Sequence, residues 1–340
     1  MTSGLWVSMP IIRNLVEGTG CNGPEIELIC RAGGISPDLL EEADHKLSLE
    51  QNCAIMEAAL TISGDQCLGL HTGEKTTAVV LGITGHLMQS SKDVLDALRH
   101  LQQFTSVFTR LYHFAVEIRH AEVFYYCEPL EVWNNISPET ARQSVDFAYA
   151  GAIHVIFLLT GKRVFPKKVM YRYQRTADTR EYERVFKCQP LFNQAANCMV
   201  FSLADLQAPV LGYNKELNQV FLQLLEAEIK KQSAGAAFSS QVKQMILKQF
   251  RFQFPQVEEV AAQMHLTTRT LQRKLQEENT TFRTLVDGIK EELACNLLLN
   301  KNLSVTEIAY QLGYAEPSTF QRAFRQWTGK SPNAFRRQSG

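Results

Sequence analysis

The chain has 340 residues, 45% of them hydrophobic, with 35 basic and 35 acidic side chains and no formal net charge. That length and apolar content can fill more than one core, and the balanced charge gives no global basic signature. The strongly apolar run from Ala150 to Leu159 holds His154 and is too short to span a membrane, while the N-terminus lacks the basic and apolar blocks of a secretory signal, so a cytoplasmic location is expected.

In chain order, residues 1–20 read as an N-terminal tail and 21–205 as an α+β domain. Helical periodicity is expected over Pro24–Arg31, Leu49–Ile62 and Ser91–Phe108. Ala115–Arg119 and Glu122–Cys127 read as a strand pair broken near His120 and Ala121. A helix running to Leu159 should begin at Pro138 with Ser137 as its cap, and Val169–Tyr173 with Met199–Leu203 should complete a sheet.

Residues 206–237 read as a helical linker. Between Asn214 and Lys231 an apolar stripe of Leu217, Val220, Phe221, Leu224 and Leu225 predicts a dimerisation helix, followed by a small-residue junction at Gln232–Ala237. The same stripe could instead pack on its own domain.

Residues 238–340 contain an internal repeat. Leu271-Gln272-Arg273-Lys274-Leu275 and Phe320-Gln321-Arg322-Ala323-Phe324 both read apolar, Gln, Arg, any, apolar. Val260, Ala261, Met264 and Leu266 before the first copy match Ile308, Ala309, Leu312 and Tyr314 before the second, and Asn279 and Gly329 follow as helix-ending residues. On a helix the two apolar residues share one face and the Arg points away, where Arg and Gln can pair with guanine and adenine edges in the major groove. Each copy is therefore expected to be a helix-turn-helix, and Phe282–Leu299 the helix joining them. At about 1.5 Å per residue that rod spans roughly 27 Å, enough to hold two recognition helices about one DNA turn apart. Gly288 is its weak point.

The stretch from about Gln241 to Arg337 resembles the DNA-binding domain of the AraC/XylS family of bacterial transcription regulators. The most specific match is Ser304-Val305-Thr306-Glu307-Ile308-Ala309-Tyr310-Gln311-Leu312-Gly313-Tyr314 with Phe320 through Pro332. Ala315 stands where many members have a capping Ser, and Asn279 replaces a common Gly. Upstream, Gly34–Leu40, Gly64–Gly73, Leu81–His86, Tyr182–Phe186 and Asn197–Phe201 resemble the arabinose-binding-like effector domain of a large AraC subgroup, without identifying a sugar.

The expected architecture is thus multidomain, an α+β effector domain followed by an all-α DNA-binding domain with two helix-turn-helix motifs joined by a long helix. The expected function is sequence-specific DNA-binding transcription regulation under a small-molecule effector, with no enzymatic activity. Expected base contacts are Arg269, Gln272, Arg273, Glu316, Ser318, Gln321 and Arg322. Expected phosphate contacts are Arg325, Lys330, Arg336 and Arg337, from a C-terminal end without acidic residues after Gln321. The resemblance implies double-stranded DNA as partner; a homodimer, an unidentified effector and RNA polymerase are candidate partners, and no membrane, cofactor or metal is expected. The sequence leaves the ligand-binding residues, the operator and the sign of regulation open.

Two alternatives remain. The N-terminal domain could serve only as a dimerisation or protein-binding module, its aromatic residues Tyr125, Tyr126, Trp133, Phe147, Tyr149 and Phe157 forming ordinary core rather than a pocket. An alkylation-damage regulator with a methyl-accepting cysteine would need clustered zinc-binding cysteines and a Pro-Cys-His unit. Here Cys21, Cys30, Cys53, Cys67, Cys127, Cys188, Cys198 and Cys295 are scattered, none after Pro and none beside His. His71, His86, His100 and His113 likewise lack the close spacing of a metal site.

Overall fold

In the computed structural model the described residues are 4–175, 178–234, 238–249, 254–299 and 303–338. They fall into two units, Met1–Ile229 and Lys230–Gly340. Residues 206–229 thus belong with the N-terminal unit rather than to a separate linker.

The first unit is α+β. Its main sheet is antiparallel, in the spatial order Tyr112–Arg119, Glu122–Pro129, Cys198–Ser202 and Lys168–Met170. Along the second strand Val123, Tyr125 and Cys127 are buried while Phe124 and Tyr126 are half-buried, the period-two pattern of a strand with one face on a core. Ala115 pairs with Tyr126 and Val123 with Phe201.

Packed with this sheet is the helix Pro138–Thr160, with Val145, Tyr149 and Ile156 in the same core as Val123 and Tyr125. Its 23 residues exceed the apolar run seen in sequence, and by length and composition it could cross a membrane. Burial of 61% of its most apolar window makes it the core helix of this domain. Ser137 does not cap it; its hydroxyl donates instead to Glu57 Oε1 at 2.6 Å. The short helix Leu68–Gly73 lies so close that a Cβ on Gly69 would stand 2.0 Å from the Gln143 carbonyl oxygen, and one on Gly73 2.6 Å from that of Phe147. Gln143 fastens this contact by accepting from the Gly69 amide and donating to the Gln66 carbonyl, both at 2.8 Å.

The first twenty residues are not a tail. Trp6–Ser8 pairs antiparallel with Lys46–Ser48, and the helix Met9–Gly18 buries Met9, Ile12, Leu15 and Val16 in a second core with Leu47, Ile55 and Trp133. The expected Ser91–Phe108 helix is two, Val94–Gln103 and Thr105–Phe108, divided at the buried Phe104, with Asp93 capping the first by accepting from the Asp96 amide at 2.8 Å.

The second unit is all-α, with helices Phe238–Gln249, Val257–Gln263, Thr268–Glu277, Phe282–Leu299, Val305–Gln311, Pro317–Thr328 and Pro332–Gln338. Two small cores serve it. Val242, Val260, Leu271, Leu275 and Ile289 form one, while Ala294, Leu298, Ile308, Phe320 and Phe324 form the other. The helix Phe282–Leu299 contributes to both, and Leu293 packs against each.

Candidate nucleic-acid interface

The two repeated quintets lie on Thr268–Glu277 and Pro317–Thr328, each the second helix of a helix-turn-helix. Their apolar ends Leu271, Leu275, Phe320 and Phe324 are each 0% exposed. Arg269, Gln272, Arg273, Ser318, Gln321 and Arg322 are exposed, as is Glu316 at the cap position. The sequence pattern thus yields two helices held by buried i, i+4 pairs and turning donors outward. Arg273 lies 3.8 Å from Glu277, with both side chains more than 60% exposed. So exposed a pair stabilises by about 1 kcal/mol at most and yields readily to another acceptor.

Local chemistry sets where each helix begins and ends. Thr267 accepts from the Thr270 amide at 3.1 Å, capping the first recognition helix. The second has no side-chain cap, because Glu316 occupies that position and Ala315 precedes it; Pro317 in the first turn supplies the starting geometry. Asn279 and Gly329 adopt φ of 55° and 74° where the helices stop. His265 and Gly313 share the left-handed conformation inside the two turns, at 54° and 76°.

Between the two motifs stands Lys290 on the joining helix. Its ammonium lies 5.0 Å from the Phe254 ring centre and 4.5 Å from that of Tyr314, and burial lowers its pKa. One cation over a ring from each half ties both motifs to the same rod.

Among the expected phosphate contacts, Arg325 and Lys330 are exposed. Arg336 is not available in the same way. Its Nε donates to the carbonyl of Leu298, in the last turn of the joining helix, at 3.2 Å, and its Nη2 to that of Leu303, just before the next helix, at 2.7 Å. The side chain of Arg337 lies outside the described residues.

The apolar stripe of Lys215–Ala234 divides between two directions. Leu225 is fully buried with Leu87 and Phe104, Phe221 and Leu222 pack beside them, and Phe221 stacks on His86 with ring centres 5.7 Å apart. Leu217, Val220 and Leu224 remain about half exposed. Leu225 and Phe221 therefore hold the helix to its own domain, and only the other three offer a face.

No group of three or more His, Cys, Asp or Glu is placed to hold a metal among the described residues. His71 sits between two carboxylates, Nδ1 2.7 Å from Asp65 Oδ2 and Nε2 3.1 Å from Glu181 Oε2. Burial pushes up the thiols of Cys30, Cys53, Cys67, Cys127, Cys188, Cys198 and Cys295, which disfavours the nucleophilic thiolate.

Residues 23–210 match the family described as the arabinose-binding domain of AraC transcription regulator, N-terminal, and residues 260–338 match a helix-turn-helix domain family. The ornithine utilization regulator of Pseudomonas aeruginosa is 27% identical over 309 residues, covering 90% of this chain and 88% of its own length. The transcriptional regulator VqsM of the same organism is 26% identical, covering 79% and 83%. The crystal structure of transcriptional regulator CdpR, also from Pseudomonas aeruginosa, is similar with 25% identity, 91% and 95% coverage and a TM-score of 0.44.

Proposed function

The chain belongs to the AraC family of transcription regulators, and on that premise we propose that it reads two successive major-groove segments with Arg273 and Arg322. Arg269, Gln272, Glu316, Ser318 and Gln321 assist on the same exposed faces, and Arg325 and Lys330 bind phosphate. The observation that carries this reading is the pair of quintets, each with both apolar residues fully buried and its Gln and Arg exposed. A guanidinium matches the two acceptors of guanine, and a carboxamide the donor and acceptor of adenine.

Replacing Arg273 or Arg322 by Ala should cost about 1–3 kcal/mol at a cognate duplex and much less at a scrambled one. Titrations of both duplexes at one salt concentration check this. Unchanged discrimination in both variants would remove the two residues from base reading.

Control in this reading comes from the N-terminal unit, through an effector and a homodimer. Leu217, Val220 and Leu224 recur at three- and four-residue spacing, the seam of a two-helix contact, and a second copy presents the same seam. Dimerisation doubles the DNA contacts within one complex. RNA polymerase is the further partner through which bound protein would act on transcription.

A further inference from the structure

The N-terminal unit contains a hollow between its sheet and helices, with a cavity volume of about 90 Å³. The helix Val94–Gln103 gives it Val94, Ala97, Leu98 and Leu101, one face at helical spacing. The core helix opposite contributes Phe147, Ala148, Gly151, Ala152 and Val155, whose small members leave the space. Phe114 and Tyr125 of the sheet form part of the wall. Thr77, just before the 3-10 helix Ala78–Leu81, is the one exposed residue of the lining.

The wall contains no charged side chain, no His and no carboxamide; its hydroxyls belong to Thr76, Thr77, Thr109, Tyr112 and Tyr125. Thr109 is already engaged, donating to the Trp6 carbonyl and accepting from the Leu111 amide. Thr76 is 4% exposed and its hydroxyl has no hydrogen-bond partner. A sugar would bring several hydroxyls that this wall cannot satisfy, and a charged amino acid would bring ions without counter-ions; both are costly in an apolar surround. A hydrocarbon group gains there by leaving water.

We propose that this hollow is the effector site and that it takes an uncharged, mostly hydrocarbon ligand with one polar group, which pairs with Thr76. The proposal rests on the reading of this unit as an effector domain and gives the ligand its chemical class. It also gives the ligand a route outward. Met88 and Leu101 line the hollow, while neighbouring Leu87 and Phe104 enclose Leu225 of the helix Lys215–Ala234. Filling the hollow acts on the segments that seat that helix.

The test is calorimetric titration of the full chain with straight-chain alcohols from 1-butanol to 1-decanol, with L-arabinose and lysine as comparison probes. One site per chain is expected, with affinity rising about four-fold per methylene until the hollow is full, then levelling. Ala152→Phe should abolish binding. Leu98→Ala should shift the best chain length upward, and Thr76→Val should weaken 1-octanol about two- to ten-fold. The Leu98 and Thr76 variants keep the test decisive should the Phe variant not fold. Absence of alcohol binding, binding indifferent to all the substitutions, or saturable arabinose or lysine binding lost in Ala152→Phe would overturn the proposal. Duplex titrations on the same wild-type preparation separate the two levels. DNA binding without alcohol binding removes the ligand class alone, whereas loss of sequence-specific DNA binding removes the regulator reading beneath it.

Discussion

Arg336 and Arg325 look alike in sequence, two arginines in a stretch without acids, yet their surroundings give them different work. Arg325 is exposed, whereas Arg336 donates to two carbonyls 38 and 33 residues earlier. Charge counting cannot make that distinction, because it depends on where the chain returns. Arg325→Ala should weaken specific and non-specific DNA binding alike and lower the magnitude of the log–log salt slope by about one. Arg336→Ala should leave that slope unchanged and lower the unfolding free energy of the C-terminal unit by about 1–3 kcal/mol, because two backbone carbonyls lose its guanidinium as donor. Salt-dependent titration and urea unfolding of each variant decide it, and the opposite assignment of effects would refute it. His71 makes a residue-scale prediction about pH. Burial alone would lower its pKa, but hydrogen bonds and charge from Asp65 and Glu181 outweigh burial and raise it. A histidine raised on folding contributes stability that is full below its unfolded value of about 6.5 and is lost as pH rises through the folded value. The thermal midpoint of the N-terminal unit should therefore fall on going from pH 6 to pH 8, and His71→Gln should flatten that fall; an equal fall in the variant would exclude His71 as its source.

At the scale of elements, the joining helix and the strands near Val169 and Met199 were readable, whereas the strand pair at Trp6–Ser8 and the break at Phe104 were not. Phe282–Leu299 takes the residues its periodicity indicates, since Ile289 and Leu298 mark a buried face over eighteen positions. Trp6–Ser8 was missed because three residues carry no period and the pairing partner lies forty residues on. Gly288 on the joining helix is exposed, and a Cβ there meets nothing within 4 Å. Gly288→Ala should accordingly raise the stability of the C-terminal unit by about 1 kcal/mol in urea unfolding; a loss of stability would mean the joining helix needs that glycine. The stripe on Lys215–Ala234 shows a different limit of periodicity. Leu224 and Leu225 are adjacent, and only Leu87 and Phe104, more than a hundred residues earlier, decide which of them is buried. A dimer test must spare Phe221 and Leu225, which seat the helix. Val220→Glu with Leu224→Glu should yield a folded monomer in sedimentation, against a wild-type dimer at micromolar concentration. A folded double variant that still dimerises would place the interface elsewhere.

For the whole molecule, the C-terminal function was legible because a repeat displays the same solution twice, and two copies of one pattern separate face from core without any structure. The N-terminal unit offered no such internal comparison. Its hollow is built from aliphatic, small and aromatic side chains drawn from five or more segments, which sequence could only regard as ordinary core. The account as a whole stands on one chain carrying two independent reading heads on a single rod. Binding to a panel of duplexes, each altered at one base pair, measures that most directly. Two groups of sensitive positions should appear about ten base pairs apart, with Arg273→Ala flattening one group and Arg322→Ala the other. A single group of sensitive positions, or two variants that flatten the same group, would contradict it.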